Sequence, residues 1–454
     1  MTLEDYLEQD AKRYPDKLAV ICGDEQCTYA ELWQRVTARV AELKQPSDFR
    51  HQPSDISQIV CLRALPTIDY LVNYFALHRA GYVVAPLERD IPEATFKEIE
   101  QQLCQHTVPE GSADILYTTG TTGKSKGVII SHRTIVADAE NLIAGQGFSH
   151  DTIFVINGPL NHIGSLSKVY PVILLGGTII IVNGMKDLDA FFAAFDYQPT
   201  PITHHPSPRF ATFLVPASIR ILIQFSAHRL AALADRIEFV ETGAAAISQA
   251  DMEALCRLLP HSRLYNTYAS TETGIISTYN YNDGRCMAGC LGHTMPHSEL
   301  FITPEGLIAC KGDTLMTGYV GDPERTASVL RDGTIYTADI GVIDDEGMLH
   351  LKGREDDVIN VGGFKVAPTE VEDAAMSCPD VKDCICIAVD HPITGKALKL
   401  LVSMTDGHNL NKRSLALHLK GRLEPYKIPL LYQQVDTIHR TFNGKLDRKY
   451  YKSV

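Results

Sequence analysis

With 454 residues, 45% of them hydrophobic, the chain is long enough for two or more domains and too apolar to be disordered. A formal net charge of -13 argues against broad binding to nucleic acid or anionic membranes, while leaving room for small anions held locally. Its 11 cysteines lack zinc-site spacing: Cys286-x3-Cys290 and Cys384-x-Cys386 have no accompanying histidine cluster, which suits scattered intracellular thiols.

In chain order, residues 3–16 and 28–44 read as surface helices, the second capped by Thr28. The acidic N-terminus shows no basic-then-apolar signal pattern, and the longest apolar run, Pro171 to Val182, is too short to span a bilayer. The expected location is therefore cytoplasmic, with no stable membrane insertion. Gln58 to Arg63, Asp69 to Arg79 and Gly81 to Pro86 form a strand–helix–strand unit. After the loop at residues 119–127, the periodicity predicts a helix over His132 to Gln146, strands at Thr152 to Asn157 and Thr178 to Val182, and a helix at Asp187 to Phe195. Further on come a strand at Ile202 to His204, a helix at Ser207 to Leu214, a strand at Arg236 to Glu241, a helix at Ser248 to Leu259 and a strand at Arg263 to Thr267. This alternation predicts parallel α/β layers, followed by a small β subdomain over Ile302 to Leu351. From Gly353 the texture changes to an α+β module of about 100 residues.

The chemistry concentrates in Asp114 to Ser131, DILYTTGTTGKSKGVIIS, where an apolar strand breaks into a loop and resumes at Val128. Gly120, Gly123 and Gly127 let backbone N–H groups converge, threonine hydroxyls add donors, and two lysines add charge, a combination suited to a polyphosphate. Gly123-Lys124-Ser125 mimics a Walker A ending, but that motif needs glycine where Thr118 stands.

This loop resembles the phosphate loop of the adenylate-forming superfamily, the acyl-CoA synthetases, peptide-synthetase adenylation domains and luciferases, with Thr119 and Ser125 as mild departures. Four more segments match that family in order. Asn266-Thr267-Tyr268-Ala269-Ser270-Thr271-Glu272 is similar to its Asn-x-Tyr-Gly-x-Thr-Glu, and Tyr336-Thr337-Ala338-Asp339 to its Tyr-x-Thr-Gly-Asp. Gly353-Arg354-Glu355-Asp356 resembles its interdomain hinge, and Asn443-Gly444-Lys445 its C-terminal lysine motif. The match runs from about Tyr29 to Arg448.

The resemblance implies a large N-terminal domain of layered α/β subdomains plus a small β subdomain, residues 1–352 with its first part shortened, a hinge at 353–356 and a mobile α+β C-terminal domain, 357–454. It implies nucleotide contacts from Thr118, Thr119, Gly120, Thr121, Gly123 and Lys126, with Thr122 catalytic, and from Gly243, Ala244 and Ala245 against the adenine. Asn266 and Tyr268 join them at the adenine, Thr271 at the phosphates, Asp339 at the ribose and Arg354 at ribose or phosphate. Glu272 would hold Mg2+, a hard cation suited to carboxylate, and Lys445 would be the catalytic cation. Asp356 would be the pivot, and His162 would border the acyl and thiol tunnels, while His204-His205 lacks a third metal ligand.

The implied activity is ATP-dependent activation of a small carboxylic acid to an acyl-adenylate, then transfer to a thiol, that of coenzyme A in the first place and of a discrete acyl or peptidyl carrier protein as the alternative, by a monomer or homodimer. A luciferase-type monooxygenase shares every one of these motifs, and the shortened N-terminal region leaves open a nucleotide binder without turnover, against which the intact Lys445 and Glu272 argue. The acid itself is not legible; its pocket is expected around His162, His204 to Pro208, Ala244 to Ala246 and Ile275-Ile276.

Overall fold

The computed structural model describes residues 1–44, 58–118, 126–198, 209–362, 364–392, 395–441 and 445–452. Two sheets carry the N-terminal part. In the smaller, strands Ile59–Arg63, Val83–Leu87 and Ser112–Thr118 run parallel, followed by antiparallel Lys126–Ser131 and a two-residue edge, Gly318–Tyr319. The larger has a parallel centre of Thr178–Ile181, Thr152–Ile156, Arg209–Leu214, Ile237–Thr242 and Arg263–Ser270. Such strands are covered on both faces, which is why Thr178–Ile181 and Val83–Leu87 are apolar runs buried at every position.

Beyond Arg263–Ser270 the larger sheet turns antiparallel through Gly274–Asn280 and Cys290–Thr294. It continues as Leu349–Arg354, Thr334–Ile343, Leu307–Gly312 and Ser298–Ile302, the expected β subdomain. Its last paired residue is Arg354, opposite Asp339, and a 3-10 turn, Glu355–Asp357, follows. The C-terminal module packs helices Pro368–Met376 and Lys412–Lys420 on the sheet Val381–His391, Gly395–Met404 and Leu431–Gln434.

Helices Leu3–Arg13, Ile68–Arg79, His132–Gln146 and Ile163–Leu175 fill a core that draws Val84 and Leu116 from the smaller sheet and Phe154 and Phe239 from the larger. Their starts are fixed locally: Thr67 accepts from the Tyr70 N–H and Ser131 from the Thr134 N–H. A second core lies under helices Leu188–Ala193, Pro216–Ala231 and Gln249–Leu258.

One expected element is overturned. Ser207 to Leu214 was expected as a helix, but Arg209–Leu214 is a strand between Thr152–Ile156 and Ile237–Thr242. Buried on both faces, its short apolar run carries no helical period to read. The hairpin Leu18–Cys22/Glu25–Thr28 and the helices Glu93–Leu103 and Pro216–Ala231 were not anticipated. The expected strand at Ile202 to His204 lies outside the described residues.

A buried polar chain ties the first helix to strand Ser112–Thr118, which leads into the glycine-rich segment. Glu4 Oε1 lies 3.0 Å from His78 Nδ1, and His78 Nε2 lies 3.1 Å from Asp114 Oδ1, whose partner oxygen accepts from Tyr74 at 2.8 Å. Burial alone would lower the His78 pKa, but Asp114 and Glu4 outweigh it and raise it to about 10. His132 completes a group of three side chains close enough for a cation, yet both ring nitrogens of His78 already face acceptors, which favours a buried imidazolium. Replacing it by His78→Gln strands two buried carboxylates and should cost about 3–5 kcal/mol at pH 6. Because the folded pKa is raised, the contribution is full below about pH 6.5 and fades toward pH 10. Denaturant melts at pH 6 and 9.5 should show the gap between variant and wild type narrowing; a constant gap would rule out the charged state.

Candidate active site

On either side of the glycine-rich segment, Thr118 pairs through its backbone with Lys126. Gly127 beside it is crowded: a β-carbon there would stand 2.6 Å from Val320 Cγ1 and 2.8 Å from Ile115 Cγ2. Thr119, Gly120, Thr121, Thr122 and Gly123 lie outside the described residues. Lys126 projects to 5.5 Å from the Tyr319 ring centre, and its pKa is lowered by burial and by Arg325, with Glu272 opposing.

Glu272 sits on the turn between strands Arg263–Ser270 and Gly274–Asn280. Ser270 and Thr273 brace that turn, each side-chain oxygen accepting from the other's N–H at 3.0–3.1 Å. Gly274 closes it with φ 67°, and a β-carbon there would meet Thr314 O at 2.4 Å and Asp138 Oδ1 at 2.6 Å. Thr271 and Glu272 are thus presented at the tip, with Glu272 Oε1 accepting from the Tyr319 hydroxyl at 3.0 Å. Sequence reasoning missed Tyr319, because nothing local marks it as the partner of a residue 47 positions away.

Tyr268 and Asp339, from separate motifs, meet directly: the phenol donates to Asp339 Oδ2 at 2.8 Å. Asp339 also lies 3.4 Å from Arg354, its cross-strand neighbour. Asn266 is buried, its amide donating to the Cys290 carbonyl at 3.0 Å. Gly243, Ala244 and Ala245 leave the end of strand Ile237–Thr242, and Ala244 holds φ 66°. A left-handed alanine costs about 1–2 kcal/mol, and such strain collects where a ligand dictates backbone shape.

The C-terminal module contributes Lys445. Although the residue as a whole is exposed, its ammonium is crowded: burial and Arg354 lower its pKa, while Asp339 and Glu272 pull it up. Its charge also reaches His162, whose imidazole is pushed down to about 4, mainly by burial and then by Lys445. His162 is thus a neutral ring, with Nε2 buried and unpartnered among the described residues. Lys445, Glu272, Asp339, Arg354 and His162 therefore share one electrostatic neighbourhood, drawn from four of the five motifs and the His162 turn. Asp356 is exposed, 3.9 Å from Arg354. The His204–Pro208 segment lies outside the described residues.

Residues 97–320 match the AMP-binding enzyme family and residues 370–445 the AMP-binding enzyme C-terminal domain. Feruloyl-CoA synthase of Amycolatopsis sp is 29% identical over 96% of this chain and 95% of its own. The 2-succinylbenzoate–CoA ligase of Staphylococcus epidermidis is 26% identical over 99% and 97%. ATP-bound MatB from Rhodopseudomonas palustris superposes with TM-score 0.84 at 24% identity, covering 100% of this chain and 99% of that one. The chain belongs to the adenylate-forming superfamily of AMP-binding enzymes. Within it, the chain is an AMP-forming ligase of the acyl-CoA synthetase type, which makes an acyl-adenylate from a carboxylic acid and ATP and passes the acyl group to a thiol. Among the described residues no helix is long and apolar enough to cross a membrane.

Behind the Glu272 turn, Asp138 accepts the Ile275 N–H at 2.8 Å through Oδ1, while Oδ2 meets no partner among the described residues. Burial raises its pKa to about 7. A raised carboxyl destabilises the fold when ionised, so wild-type stability should fall as pH rises from about 4 through 7. Asp138→Asn should accordingly raise the melting temperature at pH 8 more than at pH 5.5, by several degrees. Equal shifts at both pH values would mean that Asp138 does not titrate in this range.

Proposed function

We propose that residues 1–352 and 357–454 act as two bodies joined at 353–356, and that their present arrangement is the adenylate-forming one. The observation that carries this reading is the reach of the Lys445 cation to Glu272, Asp339, Arg354 and His162. An oxygen of the substrate carboxylate attacks the α-phosphorus of ATP, the bond from that phosphorus to the bridging oxygen breaks, and pyrophosphate leaves. Both reactants are anions, and Lys445 offsets their repulsion where it develops. Thr118 to Gly123, Thr271 and Lys126 hold the phosphates, with Thr122 among the catalytic groups. Tyr268, Asn266, Asp339, Arg354 and the Gly243-Ala244-Ala245 segment hold the adenosine. Asp339 suits the ribose, since an ionised carboxylate accepts from two hydroxyls.

Glu272 fits a magnesium ion, being a hard carboxylate beside Lys126 at the phosphate end of the site. When bound, magnesium would offset phosphate charge during the displacement. The C-terminal body then turns about Asp356, three residues beyond Gly353, whose φ of 145° already lies outside the range ordinary side chains favour. Lys445 withdraws, the thiol attacks the acyl carbonyl, and AMP departs. Coenzyme A is the acceptor this reading prefers over a separate carrier protein.

The acid's far end meets Phe213. A β-carbon at Gly164, two residues past His162, would stand 3.2 Å from Phe213 Cε1, and one at Gly243 3.5 Å from Cε2. The ring thus lies between the His162 turn and the Gly243 segment. Beyond it the Lys168 ammonium, 5.3 Å from the ring centre, is locked in a buried pair with Glu241 at 2.7 Å. This wall supports a compact acid.

Lys445→Ala should depress adenylate formation by about 10²–10³-fold while sparing thioester formation from supplied acyl-adenylate; equal loss of both would refute the assignment. Acid-dependent AMP release from propionate, hexanoate, benzoate and ferulate would test the pocket. Phe213→Ala should shift kcat/KM toward ferulate relative to propionate by about 10- to 100-fold. An unchanged ratio would remove Phe213 from the pocket.

A further inference from the structure

Arg220, on helix Pro216–Ala231, lies far along the chain from every motif. Its guanidinium nevertheless bridges two regions. Nη2 donates to Asp251 Oδ2 at 2.9 Å, on helix Gln249–Leu258, which follows the Gly243-Ala244-Ala245 segment. Nη1 lies 3.6 Å from Asp383 Oδ1, on strand Val381–His391 of the C-terminal module. Asp383 in turn accepts from Arg440 Nη2 through both oxygens, at 2.7 and 2.9 Å. Arg440 opens the hairpin that carries the catalytic lysine: it bridges to Leu446, and the Thr441 N–H donates to the Lys445 carbonyl at 2.8 Å. Alternating charges thus run Asp251–Arg220–Asp383–Arg440, from the nucleotide body to the base of the Lys445 hairpin. Arg220, Asp251 and Asp383 keep only 12–18% of their side-chain surface, so solvent screens them less than surface ions.

We infer that Arg220 is a positioning residue for the first half-reaction: through Asp383 and Arg440 it seats the Lys445 hairpin in the adenylate-forming arrangement. The Arg220–Asp383 contact is long and made without a hydrogen bond to Arg220, as suits a latch that opens each turnover, whereas Asp383–Arg440 moves as a unit within the C-terminal module. This inference rests on the two-body reading above.

The test measures both half-reactions, pyrophosphate release with the most active acid of the panel and thioester formation from the matching acyl-adenylate and coenzyme A. Arg220→Gln should lower adenylation kcat by about five- to tenfold, with the KM for ATP little changed, and leave thioester formation equal or faster. Arg220→Lys, which keeps the charge, should recover most of the loss, and Asp251→Asn, which removes only the partner within the N-terminal body, should not alter the balance between the two rates. Asp383→Asn should shift that balance in the same direction as Arg220→Gln, and serves if the arginine variant folds poorly. Equal loss in both half-reactions, or no change in their ratio in either Arg220→Gln or Asp383→Asn, would overturn the inference. Lys445→Ala in the same assay separates the two ideas: if it fails to split the half-reactions, the two-body reading falls, and if it splits them while Arg220→Gln and Asp383→Asn do not, only the latch falls.

Discussion

A carboxylate and a triphosphate repel each other, and a site that joins them needs a cation placed at their meeting point. Lys445, the cation proposed for that place, stands on the C-terminal module, and its charge is felt at Glu272, Asp339, Arg354 and His162, residues carried by different strands and turns. The desolvation that lowers its pKa also strengthens its field, because charge acts further where water is excluded. The strands and turns that carry these partners are held in turn by the two sheets of the N-terminal part.

The holding is done by strand ends. Ser112–Thr118, Ile237–Thr242 and Arg263–Ser270 each terminate at a segment of the site, and the His162 turn follows Thr152–Ile156 after a short loop. Ligands of open α/β sheets collect beyond the carboxyl ends of strands, where loops are free to vary over a rigid base. Rigidity comes from helices wedged between the two sheets and from buried polar ties such as Glu4–His78–Asp114, which fix strand Ser112–Thr118. Where the antiparallel part of the large sheet begins, its first turn presents Glu272 and a later ladder presents Asp339 and Arg354.

Family and two-part organisation were legible because the motif segments have unusual local composition: glycines among hydroxyls, or a carboxylate in a run of turn formers. What escaped was set by packing across the chain. Phe213 was hidden inside a segment expected to be helical, since a six-residue strand buried on both faces carries no period that separates it from a helix. The helix Pro216–Ala231 has a polar–apolar pattern too mixed to announce itself, and Arg220 within it looks like any surface arginine. Asp138, Tyr319 and Asp383 acquire meaning only from partners 137, 47 and 57 residues away. Local patterns do not encode such pairings.

The two-residue strand Gly318–Tyr319 closes the free edge of the smaller sheet with chain that comes from the β subdomain. Tyr319 therefore completes one sheet while its hydroxyl meets the carboxylate on another. For anyone trimming or splitting this protein, the consequence is that a fragment ending before Tyr319 would leave strand Lys126–Ser131 with a row of unsatisfied amides facing outward. Such an edge invites pairing with other copies, so truncation at that point favours aggregation.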